Sequence, residues 1–417
     1  MSEVMTGKSE VGTREPLRTQ GRMCFEVLED VLSSEHRARL LWRVVETLDL
    51  SAFLEGRKAL RGRAGRDVTS VRMLMTLWLY GISMGVGSAR EIERRIGSDD
   101  AFRWIVGGQR VGRTILSEFR SEHLEALDRL WSEVLGTLLH KGLLTLELMA
   151  QDGTRVRASA SAPSFRGETS LQECLEQARL HVKAVLAEAD DPETSEGEKR
   201  AREAAAADYQ RRVQEALAVV QQLRSEGKDK PRASTTDAEA RVMKMGDGGF
   251  RPAYNVQLAT AGEAEGGPRT IVGVRVTNVG SDVGSITPML EDIERRTGQL
   301  PETLLADGGH LKFDCLRAAA AKGVSVLVPL PPPSKDPKTH RGSYDEPIAA
   351  WRERMQTHEA KELYRARAGL AELPNARFKS RLGLGHFLVR GLNKVTCVVL
   401  LGTLAHNLLS HASGLLS

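Results

Sequence analysis

The run Leu143-Leu-Thr-Leu-Glu-Leu-Met-Ala-Gln-Asp152-Gly153 decides the fold. Before it, from Cys24 to about Gly142, apolar residues recur at helical spacing: Leu40, Leu41, Val44, Val45 and Leu48, then Leu74, Leu77, Leu79 and Ile82, then Leu124, Leu127, Leu130, Trp131, Leu135 and Leu138. Such spacing lines one face of a helix. At Leu143 the texture becomes that of a strand, which Asp152-Gly153 is expected to stop with a turn. Strand texture returns at 253–259, 270–277, 302–306 and 324–329. Helices are expected at 285–297, at 312–322 and again from Pro347. The order predicts an α/β (α+β) chain: a mixed sheet with flanking helices, preceded by an all-α N-terminal domain.

Between the first and second strands lies a charged, alanine-rich stretch. Residues 171–190 and 198–226 read as two amphipathic helices, with Pro192 and Gly197 in the break, and suggest a helical hairpin. The expected organisation is therefore a disordered N-terminus at 1–20, a helical domain at 21–142, and a sheet domain at 143–417 interrupted by a helical insertion at 160–245. Residues 331–345, rich in Pro and Lys, read as an exposed loop.

A length of 417 residues suits two or three domains, and 41% hydrophobic residues suffice for a sizeable core. The net charge of +4 is too mild to argue for nucleic acid by itself, so the distribution of charge matters. Basic clusters stand at Arg57, Lys58, Arg61, Arg63 and Arg66, at Arg90, Arg94, Arg95 and Arg103, and at Arg110, Arg113 and Arg120. The cysteines form no Cys-x-x-Cys pair, which argues against zinc and against a disulfide framework and fits a reducing compartment. A P-loop is absent, so ATP use is not indicated. The apolar stretch 395–416 carries Thr396, Thr403, His406, Asn407, Ser410, His411 and Ser413; it reads as a buried helix in preference to a membrane span. The polar N-terminus shows no secretory signal, and a cytoplasmic protein is expected.

Three acids stand in settings suited to chemistry. Asp152 and Asp307 each end a strand-like run and precede glycine. Glu372 lies inside a basic helix, Tyr364-Arg-Ala-Arg367-Ala-Gly-Leu-Ala-Glu372-Leu-Pro-Asn-Ala-Arg-Phe-Lys379. Carboxylates from neighbouring strands can hold divalent cations over a phosphodiester, while arginine forks and lysine hold the phosphates. Alone, each Asp-Gly would be an ordinary turn and Glu372 a solvated charge; their joint occurrence with the basic helix favours chemistry. Tyr364, Arg367 and Lys379, with Arg377 and Arg381 close by, are the expected DNA-facing groups. Asp237 and Asp282 read as helix caps, and His310 as a hydrogen-bonding neighbour of Asp307.

These motifs resemble the bacterial insertion-sequence transposases of the DDE class. Ala150-Gln-Asp152-Gly-Thr-Arg-Val-Arg-Ala158 resembles the strand bearing the first Asp, Ala253-Tyr-Asn-Val-Gln257 the next strand, and Leu305-Ala-Asp307-Gly-Gly-His310 the second-Asp motif. The Tyr364–Lys379 helix resembles the Tyr-x2-Arg, Glu, x6-Lys signature, and Asn393 through Asn407 the closing helix. Ser70–Arg95, Ala101–Trp104 and Thr114–Arg120 resemble the helical N-terminal domain. The resemblance implies a ribonuclease H-like fold with a helical insertion. It also implies a catalytic triad of Asp152, Asp307 and Glu372 binding Mg2+ or Mn2+, in two ions. DNA contacts from Tyr364, Arg367 and Lys379 follow from it too, as do terminal inverted repeats and target DNA as partners, and a homo-oligomer on paired ends, working at the nucleoid with no membrane. Arg113 and Arg120 are further expected DNA contacts. His310 stands where relatives carry tyrosine, and Arg113-Thr-Ile replaces an Asp-His-Ser/Thr turn. Two rival readings keep less of this: a metal-dependent nuclease or a degenerate DNA-binding remnant, and a non-enzymatic helical scaffold.

Overall fold

The computed structural model describes residues 25–55, 68–187, 195–332 and 344–417. The expected disordered N-terminus, the cluster from Arg57 to Arg66, Pro192 and most of the 331–345 loop lie outside the described residues.

The N-terminal region is helical as the spacing predicts: α1 (Arg37–Glu46), α2 (Val71–Ser83), α3 (Ala89–Ile96), α4 (Asp100–Val106), α5 (Arg113–Glu122) and α6 (Leu124–His140). Side-chain caps set several of the starts. Ser70 accepts from the Met73 amide, Ser88 from Glu91, and Asp99 from Ala101 and Phe102, each satisfying a donor the first turn leaves free. Gly107 ends α4 in the left-handed region at φ 55°, a conformation that costs a side chain more than it costs glycine.

The sheet is mixed and has six strands. β1 (Leu148–Arg157) leads through a small two-stranded pairing of β2 (Phe165–Arg166) with β3 (Ala233–Ser234), between which run α7 (Glu168–Ala187) and α8 (Glu196–Ser225). These two helices form the expected hairpin, closed by their own small core of Leu171, Leu175, Val213, Ala216, Val220 and Ala233. Gly197 lies inside α8, not in the break; the helix starts earlier because Ser195 and Glu198 form a reciprocal capping box. Then follow β4 (Arg241–Lys244), which the sequence did not signal, β5 (Phe250–Ala261), β6 (Thr270–Thr277), α9 (Ile286–Thr297), β7 (Thr303–Ala306), α10 (Phe313–Ala321), β8 (Ser325–Leu327), α11 (Glu346–Arg354) and α12 (His358–Arg367). The strand order is β4-β5-β1-β7-β8, with β6 also on β5. β1 is antiparallel to β5 and parallel to β7, and β7 is parallel to β8. This is the ribonuclease H-like arrangement.

Asp152-Gly153 does not stop the first strand. β1 continues to Arg157, because its pairing with β5 is unbroken from Met149 to Arg157. Gly153 serves packing here. A Cβ at this position would stand 2.1 Å from Gln257 Nε2 and 2.4 Å from Asp282 Oδ1, so the glycine clears room for a polar cluster beneath the sheet.

Past α12 the helix is irregular. A π turn at Ala368–Glu372 precedes α13 (Leu373–Ala376), and a second π turn follows at Arg377–Arg381. Pro374 explains the first. It has no N–H for the Leu370 carbonyl four residues back, and its ring crowds that oxygen. The turn widens, and Leu373 N–H reaches the Ala368 carbonyl instead.

Finally α14 (Leu392–Ser410) joins the two regions. By length and composition it could cross a membrane, yet it packs against α2, α5, α6 and β6 inside the fold. Asn407 within it and His411 at its C-cap interrupt the apolar run for a reason. Asn407 accepts from Ile271 N–H (2.9 Å) and donates to Ile271 C=O (2.7 Å), and His411 meets Thr270 Oγ1 at 2.6 Å. The edge strand β6 thus bonds to side chains where another strand would otherwise be needed. One apolar core runs through both regions.

Candidate active site

Register brings the two aspartates together. In the parallel β1–β7 pair Gln151 lies opposite Ala306. The next residues are Asp152 and Asp307, so the two side chains leave the same face of adjacent strands, roughly 4.8 Å apart in backbone spacing. Burial pushes the Asp152 carboxyl up, and the charge of Asp307 pushes it further. Asp307 moves the other way. It accepts from His310 and from the Gly309 amide, and the His310 hydrogen bond is the larger cause of its lowered pKa.

His310 is fully buried, and its role is legible from its partners. Nδ1 lies 2.6 Å from Asp307 Oδ1 and Nε2 lies 3.1 Å from Gln257 Oε1. Gln257 in turn donates to Asp282 Oδ1 at 2.6 Å and accepts from Gln151 at 3.2 Å. Since the Gln257 amide nitrogen faces a carboxylate, its oxygen faces His310 Nε2, so both ring nitrogens of His310 face acceptor oxygens. A chain of buried polar groups beneath the sheet therefore orients Asp307. Asp282, expected as a helix cap, belongs to this chain and also accepts from Arg155 and Asn255. Asp237, likewise expected as a cap, is buried and accepts from Tyr254 Oη at 2.8 Å and from the Gly391 amide; no helix begins beside it. Sequence spacing gave no sign of either role, because their partners come from distant strands and loops.

The helix from Tyr364 to Arg381 lies across the strand ends. Leu370 and Ala371 are buried, and the π turn packs on β1 and β5. Tyr364 Oη donates to the Ala306 carbonyl at 3.2 Å, next to Asp307. Arg367 donates to Glu372 Oε1 at 2.8 Å and lowers the pKa of both aspartates through its charge. Asn375 Nδ2 donates to Asp152 Oδ2 at 3.0 Å. Lys379 is half-buried; burial holds its ammonium pKa down, and the charge of Asp152 opposes that.

The three carboxylates expected to share an ion are not all gathered. Asp152 and Asp307 are adjacent, while Glu372 reaches Arg367 and keeps 58% of its side chain exposed. Among the described residues no three His, Cys, Asp or Glu side chains form a group that could hold a metal. The donor chemistry nonetheless fits Mg2+ or Mn2+, which take hard oxygen ligands. Asp307 Oδ2 has no hydrogen-bond partner among the described residues, and Asn375 Oδ1 is buried without one.

The expected DNA contacts divide. Arg381 and Arg113 are exposed, Arg377 partly so. Tyr364 and Arg367 turn inward onto the site. Arg120 is buried: it donates to the Gly87 carbonyl and lies 4.9 Å from the Trp78 ring centroid, and burial pulls its pKa down to about 10. The DNA contact expected of Arg120 is thus unavailable in this conformation. An amphipathic basic helix does not reveal which of its cations faces the core.

No curated protein and no solved structure gives a match to this chain. Two families do. Residues 26–122, from before α1 to the end of α5, match a transposase domain (DUF772), and residues 223–408 match the transposase DDE domain. Asp307 and Glu372 lie inside the second match, and Asp152 lies between the two. With the sheet order and the paired aspartates, these matches show that the chain belongs to the DDE transposases of insertion sequences.

Proposed function

We propose that this transposase cuts DNA at the ends of an insertion sequence and joins the freed ends to a target, with Asp152, Asp307 and Glu372 as its metal-binding triad. The observation that carries the reading is the in-register pair Asp152 and Asp307, two carboxylates held close despite their mutual repulsion. Such a pair is relieved when a cation neutralises it. Mg2+ or Mn2+, in two ions, would supply activation of the attacking oxygen and stabilisation of the leaving oxygen. Glu372 completes the set from the far side by releasing Arg367, which then faces a phosphate; Arg367 caps the π turn that Glu372 ends. Lys379 is positioned beside Asp152 as a second phosphate partner, and Arg377, Arg381 and Arg113 extend the cationic surface. The helical region at 21–142 reads the terminal inverted repeats, and several copies assemble on paired ends, because both ends must meet before transfer. We take 143–417 as the unit that carries the chemistry, around the insertion at 160–245. On this reading the protein works in the bacterial cytoplasm, at the nucleoid.

The test is a Mg2+-dependent cleavage assay on a DNA duplex carrying the element end. Asp152→Ala, Asp307→Ala and Glu372→Ala should each abolish cleavage while end binding in a gel shift persists. An Asp307→Ala protein that still cuts at the wild-type rate sinks the reading. A wild-type protein that binds ends yet never cuts would favour the degenerate, binding-only alternative.

A further inference from the structure

We infer that Asn375 is a member of the metal site, using its amide nitrogen to hold Asp152 and its amide oxygen to serve the ion or an ion-bound water; this rests on the metal-dependent reading above. Two independent observations lead there. Asn375 Nδ2 donates to Asp152 Oδ2 at 3.0 Å, across the gap between α13 and β1. Asn375 is only 7% exposed, and its Oδ1 has no hydrogen-bond partner among the described residues.

An orphaned amide oxygen in a buried position carries a desolvation penalty that native proteins rarely tolerate without a reason. The donor–acceptor assignment is not arbitrary, since only the nitrogen end can face an ionised carboxylate. Covalent geometry sets Oδ1 about 2.2 Å from Nδ2. The orphan oxygen is therefore within about 5 Å of the Asp152 carboxylate, given the 3.0 Å bond. Two oxygens on one magnesium, each at about 2.0–2.1 Å, stand roughly 3–4 Å apart. A neutral carbonyl-type oxygen is an ordinary ligand for a hard cation, and it adds a ligand without adding to the repulsion between the aspartates. Position along the helix supports the pairing. Asn375 lies three residues beyond Glu372, so the segment that bears the third carboxylate also bears this amide. A purely structural tie between α13 and β1 would account for the nitrogen and leave the oxygen unexplained.

The experiment titrates Mn2+ into the metal-free full-length protein by calorimetry, with wild type, Asn375→Leu, Asn375→Asp and Asp307→Ala in parallel. Melting curves are recorded with and without Mn2+. The expected result is a 10- to 100-fold loss of Mn2+ affinity in Asn375→Leu, the range for ligand-supporting groups. Asn375→Asp, which keeps an acceptor oxygen, should bind Mn2+ at least as tightly as wild type, and Mn2+ should raise its melting temperature more than it raises that of wild type. Wild-type affinity in Asn375→Leu overturns the inference. Weak binding by Asn375→Asp overturns it as well, and that arm decides alone should Asn375→Leu fail to fold. Asp307→Ala separates the two levels: if it too binds Mn2+ normally, the aspartate site itself is wrong, whereas loss there beside normal Asn375→Leu binding confines the error to Asn375.

Discussion

Arg367 Nη2 and Glu372 Oε1 meet at 2.8 Å although five residues separate them. In an α-helix five residues are about 1.4 turns, and the two side chains would diverge by roughly 140°. The π turn at Ala368–Glu372 brings them onto one side. A local backbone irregularity thus places the third acid, and Pro374 is its physical cause.

Pro374→Ala should restore an N–H to the Leu370 carbonyl and favour a regular helix. Glu372 would then rotate away from Arg367 and from the aspartates. The expected outcome is an at least tenfold slower end cleavage with an unchanged or higher melting temperature. Unaltered cleavage would mean the π turn has no part in positioning Glu372.

The two aspartates should respond to pH with opposite signs. Asp152 has its folded pKa raised above the ordinary value of 3.8 by burial and then by Asp307. Folding binds a proton there, so its ionisation costs stability as pH rises through that window. Asp307 has its folded pKa lowered, chiefly by His310, so its contribution is present above 3.8 and is lost as pH falls through the folded value. In metal-free protein, Asp152→Asn should raise the melting temperature at pH 7 and lose that advantage near pH 3. Asp307→Asn should lower the melting temperature at pH 7. Equal shifts in the two variants would contradict the geometry.

Gly153→Ala forces a methyl against Gln257 and Asp282. Overpacking of this kind costs about 1–3 kcal/mol, visible as a lower urea midpoint. The polar chain that orients Asp307 through His310 would also shift, so cleavage should fall more than the stability loss explains. A fully stable, fully active Gly153→Ala protein would show that the chain relaxes freely.

Arginines on the surface and in the core should separate by salt dependence. Arg381→Ala and Arg113→Ala each remove an exposed cation and should reduce the salt slope of DNA binding by about 1. Arg120→Met should leave that slope alone and lower the melting temperature, since its guanidinium bonds Gly87 and lies over Trp78. A changed slope in Arg120→Met would require the buried side chain to swing out on binding.

Much of the fold is legible in the amino-acid order alone. Helical spacing located α1, α2 and α6, strand texture located β1, β5, β6, β7 and β8, and the alanine-rich hairpin emerged as α7 and α8. These depend on local periodicity, which the chain carries in its own order of residues. Short β4 escaped notice because four residues on a sheet edge carry little pattern. Asp152-Gly153 has the local look of a turn, and the reason for that glycine lies in Gln257 and Asp282, more than a hundred residues away.

By itself the amino-acid order determined the mixed sheet, the helical insertion and the identity of the acids worth attention. Tertiary structure decided which of them meet. β1 and β7 pair with Gln151 opposite Ala306, which sets Asp152 beside Asp307, while a proline-widened helix sets Glu372 against Arg367 and Asn375 against Asp152. Spacing along a chain fixes the face of an element, but register between elements comes from packing, and only register puts two distant carboxylates within reach of each other.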